Sequence, residues 1–176
     1  MQEQVILVDE LDNELGYMEK MEAHQAAMLH RAFSVFLFDK NGRMLLQKRA
    51  LNKYHSPGLW TNTCCSHPRP GEQVESAAKR RLMEEMGIEA KVQPAFNFIY
   101  KAQLDQGLTE HELDYVVVGE YEGVIIPNSL EVCNYLYATI HEIQDMLEAN
   151  AEQFTVWFRI AFPKVVEWYN LKFVNN

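Results

Sequence analysis

The chain has 176 residues, 48% hydrophobic and 23% charged, a composition that suits one soluble globular domain spanning 1–176 with a core large enough to need no staples. Its 25 acidic residues against 16 Lys and Arg give a net charge of -9, which argues against a broad nucleic-acid-binding face. Three cysteines, with Cys64 and Cys65 adjacent, make no disulfide framework. No apolar run nears the ~20 residues of a membrane span, and Met1-Gln2-Glu3-Gln4 lacks the basic start of a signal peptide, so the expected setting is the cytoplasm with no membrane partner.

In chain order, Val5–Val8 is a β-branched run that predicts a strand, and Asp12-Asn13 predicts a turn. Phe33–Phe38 predicts a buried strand, stopped by Asp39-Lys40-Asn41-Gly42, with Met44–Gln47 returning as its hairpin partner. The segment Leu51–Gly71, punctuated by Pro57-Gly58, Pro68 and Pro70-Gly71, predicts a long shaped loop, and such loops usually carry function. After it the period changes. Val74, Ala77, Ala78, Leu82 and Met86 recur at helical spacing, and Gly87 follows as a C-cap. Phe96–Lys101 and Glu112–Glu120 predict strands, whereas Ile140–Asn150 and Ala151–Lys172 predict helices, the second interrupted at Pro163. Interspersed strands and helices place the chain in the α/β or α+β class.

On the helix ending at Gly87, Arg80 and Glu84, like Arg81 and Glu85, lie four apart and share a face. A solvated face laced with ion pairs is the plain alternative. Carboxylates gathered on a helix after a shaped loop, with Glu72 upstream, also suit a divalent cation that holds a diphosphate.

The spacing Ser66-x5-Glu72-x7-Arg80-Arg81-Leu82-x-Glu84-Glu85-x-Gly87-Ile88 resembles a Nudix box. It departs from the box at Ser66, where glycine is usual, and at Arg81, where the first glutamate of the arginine–glutamate pair is usual. With the altered box, the segment Trp60-Thr61-Asn62-Thr63-Cys64-Cys65-Ser66-His67-Pro68 resembles type I isopentenyl diphosphate isomerase, a Nudix-fold family that isomerises its substrate. Glu19-Lys20, His24, Leu29-His30-Arg31-Ala32-Phe33-Ser34, Arg49-Ala50-Leu51, Lys53, Pro57-Gly58, Tyr100, Glu110-x-Glu112 and Trp157 extend the match from about Gly16 to Trp157. The resemblance implies mixed β-sheets packed between helices, and a small-molecule diphosphate as the partner of a monomer or weak homodimer.

Within these motifs lie His24, His30, His67, Glu110 and Glu112, whereas His55, His111 and His141 fall outside them. Glu110 and Glu112 differ by two, so on a strand they share a face while His111 points away. An exposed polar strand edge is the alternative. Three imidazoles with two carboxylates suit a borderline divalent ion in a five- or six-coordinate site, and without a C-x-x-C pair a structural zinc site fits less well. The resemblance implies Mn²⁺ or Mg²⁺ there, and the ligand types also admit Zn²⁺. It further implies diphosphate contacts from Lys20, Arg49, Lys53 and Arg81, with a Mg²⁺ between the diphosphate and Glu85. Lys40 and Arg43 read as a solubilising turn.

The same match selects Cys65 as the catalytic thiol; free cysteines are usually buried, so Cys64 and Cys133 read as core packing. The match implies an isomerisation that moves a proton from C2 to C4 of an unactivated alkene. Cys65 and Glu112 are the acid–base pair, Tyr100 tunes the carboxylate, and the Trp157 π face stabilises a tertiary cation-like species. Two alternatives stand beside it: a Nudix hydrolase of an organic diphosphate, which Arg81 disfavours, and a non-catalytic diphosphate- or metal-binding domain, which would not need Cys65, Glu112 and the histidines intact.

Overall fold

The computed structural model describes residues 3–174, so the ends of the expected 1–176 domain, residues 1–2 and 175–176, lie outside the described residues. The chain runs β1 (Gln4–Val8), β2 (Glu14–Glu19), α1 (Lys20–Gln25), β3 (His30–Phe38), β4 (Met44–Arg49), β5 (Trp60–Thr61), β6 (Cys64–Ser66), α2 (Val74–Met86), β7 (Val92–Gln103), β8 (Thr109–Glu120), β9 (Val132–Ala138), α3 (Ile140–Ala149) and α4 (Val156–Tyr169). The expected mixed α/β class is what forms.

β3 is the hub. It pairs in parallel with β8 over nine positions, from His30↔Glu112 to Phe38↔Glu120, and antiparallel with β6 on its other edge, Phe33↔Ser66 to Val35↔Cys64. β7 extends the sheet beyond β8, and β1 and β2 extend it beyond the start of β3.

Alternation along β3 divides the core in two. Phe33, Val35 and Leu37 meet Ala77, Ala78, Leu82 and Met86 of α2, whereas Phe36 and Phe38 meet Ile143 of α3 and Phe158, Phe162 and Val165 of α4. Each fully buried side chain such as Phe36 or Phe158 contributes about 2–3 kcal/mol by area. The sheet is therefore sandwiched between α2 and the α3–α4 pair.

Local chemistry explains the boundaries. Asp39 Oδ1 accepts the backbone N–H of Asn41 at 2.9 Å and of Arg43 at 2.8 Å, closing the predicted turn. Thr139 and Glu142 form a reciprocal capping box on α3. Gly87 ends α2 in the left-handed region, φ 62°, where a Cβ would lie 2.6 Å from the Ile126 carbonyl oxygen.

Four expectations change. The β3–β4 turn forms, but the two strands share only Phe38↔Met44, because β3 takes β6 and β8 as neighbours while β4 pairs with β5 and β9. Leu51–Gly71 is not wholly loop: it holds the short strands β5 and β6, which place Cys64 and Cys65 on a pleat. Pro163 lies inside α4 without ending it, and a separate 3₁₀ turn at Ala151–Gln153 precedes that helix. The carboxylates on α2 and just before it do not converge: Arg80 holds Glu72 through two contacts of 2.8 Å, and of the set Glu72, Glu84 and Glu85 only Glu85 turns into the interior.

Candidate active site

One face of β8 changes character along its length. Val116 and Val118 join the core under α4, whereas Glu110, Glu112 and Asp114, on the same face, are buried polar residues. Parallel register sets His30 beside Glu112, and the β6–β3 pairing brings His67, just beyond Ser66, to the same end. α1 delivers His24. The imidazoles of His24, His30 and His67 and the Glu112 carboxylate thereby offer four ligand atoms within 4.8 Å of one another, all buried. His67 Nε2 lies 3.0 Å from Glu112 Oε1 and 3.2 Å from His30 Nε2.

The outer contacts fix the ring orientations. His24 Nδ1–H donates to the Lys20 carbonyl at 2.6 Å and His30 Nδ1–H to the Met28 carbonyl at 2.8 Å, leaving Nε2 of each ring for the cluster. Burial, with a neighbouring imidazole, lowers His24, and burial lowers His67 to about 4 against hydrogen bonding from Glu112. Both rings are held neutral, as metal ligation requires. Buried imidazoles beside a carboxylate could hold a divalent metal. Glu110, expected as a further ligand, stands outside this group, with its carboxyl 2.8 Å from Tyr100 Oη.

Tyr100 Oη also lies 2.7 Å from Glu112 Oε2. A phenol has one proton to donate, so one of the two carboxyls must donate to the phenol oxygen. Burial and the Glu112 charge raise Glu110 well above the usual carboxylate range. Burial opposes ionisation of Glu112 too, but the neighbouring His30 imidazole and the His67 hydrogen bond outweigh it and hold that carboxylate well below the range. Glu110 is therefore the acid and Glu112 the anion.

Pleating of β6 separates the adjacent cysteines. Cys64 is fully buried beneath α2, whereas Cys65 faces the other way, against Tyr100 and Trp157 in the wall of the cavity. Burial pushes the Cys65 thiol up, with the Arg49 guanidinium opposing and Glu85, Glu110 and Glu112 adding, so it stays protonated at neutral pH. Cys133 is exposed and donates its S–H to the Arg49 carbonyl at 3.2 Å.

The expected cations line the same cavity: Lys20, Arg49, Lys53 and Arg81. Each is already engaged. Lys20 pairs with Glu3 at 3.1 Å, Lys53 with Glu131, and Arg81 with Glu84 and Glu85. Arg49 donates to the carbonyls of His55 and Ser56 at 3.1 and 3.2 Å and lies 5.2 Å from the Trp157 ring centroid. Lys40 and Arg43 stay at the turn, paired with Glu122 and Asp39.

Three residues of the site escaped sequence reasoning. Gln47 anchors Glu85, donating from Nε2 at 2.8 Å, and signals itself only as a buried amide after the apolar Met44-Leu45-Leu46. Glu131 sits between Lys53 and Arg81, from a turn held by Asn128. His55, set outside the motifs, lines the cavity, whereas His111 bonds the Ala27 carbonyl on the other face and His141 is exposed.

The neutral imidazoles make stability sensitive to acid. His55 is lowered to about 3 by burial and the Arg49 charge, and His67 to about 4, from an ordinary 6.5. Below pH 6.5 the unfolded chain takes up protons that the folded chain refuses, so stability falls with pH until each folded value is reached. The slope is about 1.4 kcal/mol per pH unit per group. Calorimetry of EDTA-treated protein should show Tm falling steadily from pH 6.5 to 4.5; a flat Tm over that range would remove the burial argument.

A Nudix domain model matches residues 28–158. Two isopentenyl-diphosphate Delta-isomerases match nearly end to end: that of Pectobacterium atrosepticum, 48% identical over 94% of this chain and 93% of its own length, and that of Serratia proteamaculans, 48% identical over 90% and 88%. This chain belongs to the isopentenyl-diphosphate Delta-isomerase family within the Nudix superfamily. Solved Nudix-like structures agree on the fold alone. DR0079 from Deinococcus radiodurans superposes with TM-score 0.69 at 18% identity, covering 84% of this chain and 90% of that one. A Nudix hydrolase from M. smegmatis superposes with TM-score 0.61 at 16% identity over 97% and 98%. Among the described residues no helix is long and apolar enough to cross a membrane.

Proposed function

We propose that this member of the isomerase family interconverts isopentenyl and dimethylallyl diphosphate by a 1,3-allylic proton shift, with Cys65 and Glu112 as the acid–base pair. One observation carries the reading. The Cys65 thiol, pushed up by burial, and the Glu112 carboxylate, held low by its imidazole neighbours, come from the strands on the two edges of β3 and line one cavity with the Trp157 indole. One group adds a proton at C4 of the alkene and the other removes one from C2, so the substrate's proton count closes; proton exchange with solvent then returns the thiol and the carboxylate to their starting states for the next turnover. Tyr100 orients Glu112 through Oη. Trp157 is 3% exposed, so its face meets the cation-like species away from water, worth about 2 kcal/mol in a desolvated site.

His24, His30, His67 and Glu112 would hold Mn²⁺ or Mg²⁺, with Zn²⁺ also matching by ligand type. Bound there, the ion supplies positive charge that offsets the buried carboxylate and fixes its orientation. Lys20, Arg49, Lys53 and Arg81 would bind the diphosphate. Glu85, now paired with Arg81, would hold a Mg²⁺ that offsets the charge of the diphosphate. The hydrolase alternative fares worse: Arg81 replaces one metal-binding glutamate of the box, and Arg80 occupies Glu72.

Glu131 competes with the diphosphate for Lys53 and Arg81. Exposed and half-buried pairs are worth about 1 kcal/mol or less, so Glu131→Gln should lower KM about two- to fivefold at unchanged kcat. A higher KM in steady-state assays would mean that Glu131 instead orders the two cations.

Proton NMR of isopentenyl diphosphate in D₂O with metal-loaded protein tests the function itself. Dimethylallyl diphosphate carrying deuterium is expected. Released phosphate without isomerisation would favour the hydrolase, and an unchanged substrate would sink both enzymatic readings.

A further inference from the structure

Trp157 poses a problem that the proton shift does not solve. Its indole Nε1–H is buried and has no protein hydrogen-bond partner, so among protein contacts it is packing that sets the plane of the ring. Tyr100 and Ala102 pack against it, and Arg49 lies over its face. The remaining aromatic contact comes from His55, whose ring meets the indole edge-on at 5.7 Å and 74°.

His55 is itself tightly held. Tyr54 packs against it edge-on at 4.5 Å and 80°, and the His55 and Ser56 carbonyls both accept from Arg49. Gln106, in the β7–β8 connection, donates from Nε2 to the Tyr54 carbonyl at 3.0 Å. Ser56 adopts φ 48°, a left-handed conformation unusual for serine that the Arg49 contacts help to hold. The imidazole is 7% exposed and lines the cavity between the cationic end and Trp157.

We propose that His55 is a positioning residue for the isomerisation, a ring wedged between the diphosphate-binding segment and Trp157 that holds the indole plane where the cation-like species forms. This rests on the acid–base and cation-stabilising reading above. Burial, and after it the nearby Arg49, Lys20 and Lys53 charges, keeps the ring unprotonated. Because Arg49 ties the His55 carbonyl to the anion-binding end, the same loop links the diphosphate to the hydrocarbon wall.

The test compares His55→Ala and His55→Phe with the unmodified protein, using kcat and KM for isopentenyl diphosphate, Tm, and the Trp157 indole N–H resonance. That resonance is assigned with Trp157→Phe among the three tryptophans. His55→Ala should lower kcat about tenfold with KM within threefold, and should move the indole resonance. His55→Phe, which keeps an aromatic edge without a titratable nitrogen, should restore both kcat and the resonance. A merely structural role would lower Tm without a selective loss of kcat. Two kinetic outcomes overturn the proposal: kcat within twofold of the unmodified value for both variants, or a tenfold rise in KM at constant kcat for both, which would make the imidazole an anion ligand. If the unmodified protein does not isomerise the substrate, the functional reading fails separately, and an unmoved indole resonance in His55→Ala still rejects the positioning role.

Discussion

Cys65→Ala should lose isomerisation by about 10⁴-fold in kcat while KM stays within about threefold and Tm moves by only a few degrees. General acid–base transfer by one positioned group is typically worth 10²–10⁴-fold, and the upper end applies because an unactivated alkene offers no other route for the proton. That loss corresponds to about 5.4 kcal/mol of transition-state stabilisation. The folded state depends little on Cys65, which is half-buried at the cavity wall rather than in either main core cluster. Its neighbour makes the internal control. Cys64 is wholly buried beneath α2, so Cys64→Ala should cost about 1–2 kcal/mol of stability and leave kcat nearly unchanged. NMR turnover of both variants, with thermal melts alongside, separates the two. An active Cys65→Ala would remove the thiol from the proton shift.

This contrast shows what was readable in the sequence. Two adjacent cysteines on an extended segment must face opposite ways, and the pleat of β6 realises that rule even though the strand is only three residues long. Alternation in β8 likewise set Glu110 and Glu112 on one face, and the 3.6 period with Gly87 gave α2 nearly to its ends. Elements whose partners are distant were not readable. β2, α1 and β9 are short and partly exposed, so they carry no strong hydrophobic period; tertiary pairing with β1, with β8 and with β4 holds them in place. The Asn41-Gly42 turn was legible, but nothing local says that β3 will give its edges to β6 and β8. His55 and Glu131 were missed for the same reason: both owe their place to contacts across the fold, with Trp157 and with Lys53 and Arg81.

Glu112→Gln and Glu110→Gln should differ sharply, although the two carboxyls lie two residues apart and share Tyr100. Glu112→Gln would offer the cluster a neutral amide where a carboxylate accepts from His67 and joins the four-ligand group. We expect kcat to fall by at least about 10³-fold, from the lost acid–base group, together with weaker metal binding. Glu110 is the protonated member of the pair, and glutamine approximates a neutral carboxyl in shape and polarity. Its replacement should cost less than about tenfold in kcat and leave metal content near that of the unmodified protein. Metal analysis after dialysis, beside turnover by NMR, checks both. Equal loss of metal in the two variants would mean that Glu110 is drawn into the coordination sphere as an anion. The Tyr100 phenol would then hold two charged carboxylates rather than linking an acid to its conjugate base. A large difference would instead assign one buried carboxyl to chemistry and metal, and its neighbour to keeping the Tyr100 proton pointed at Glu112.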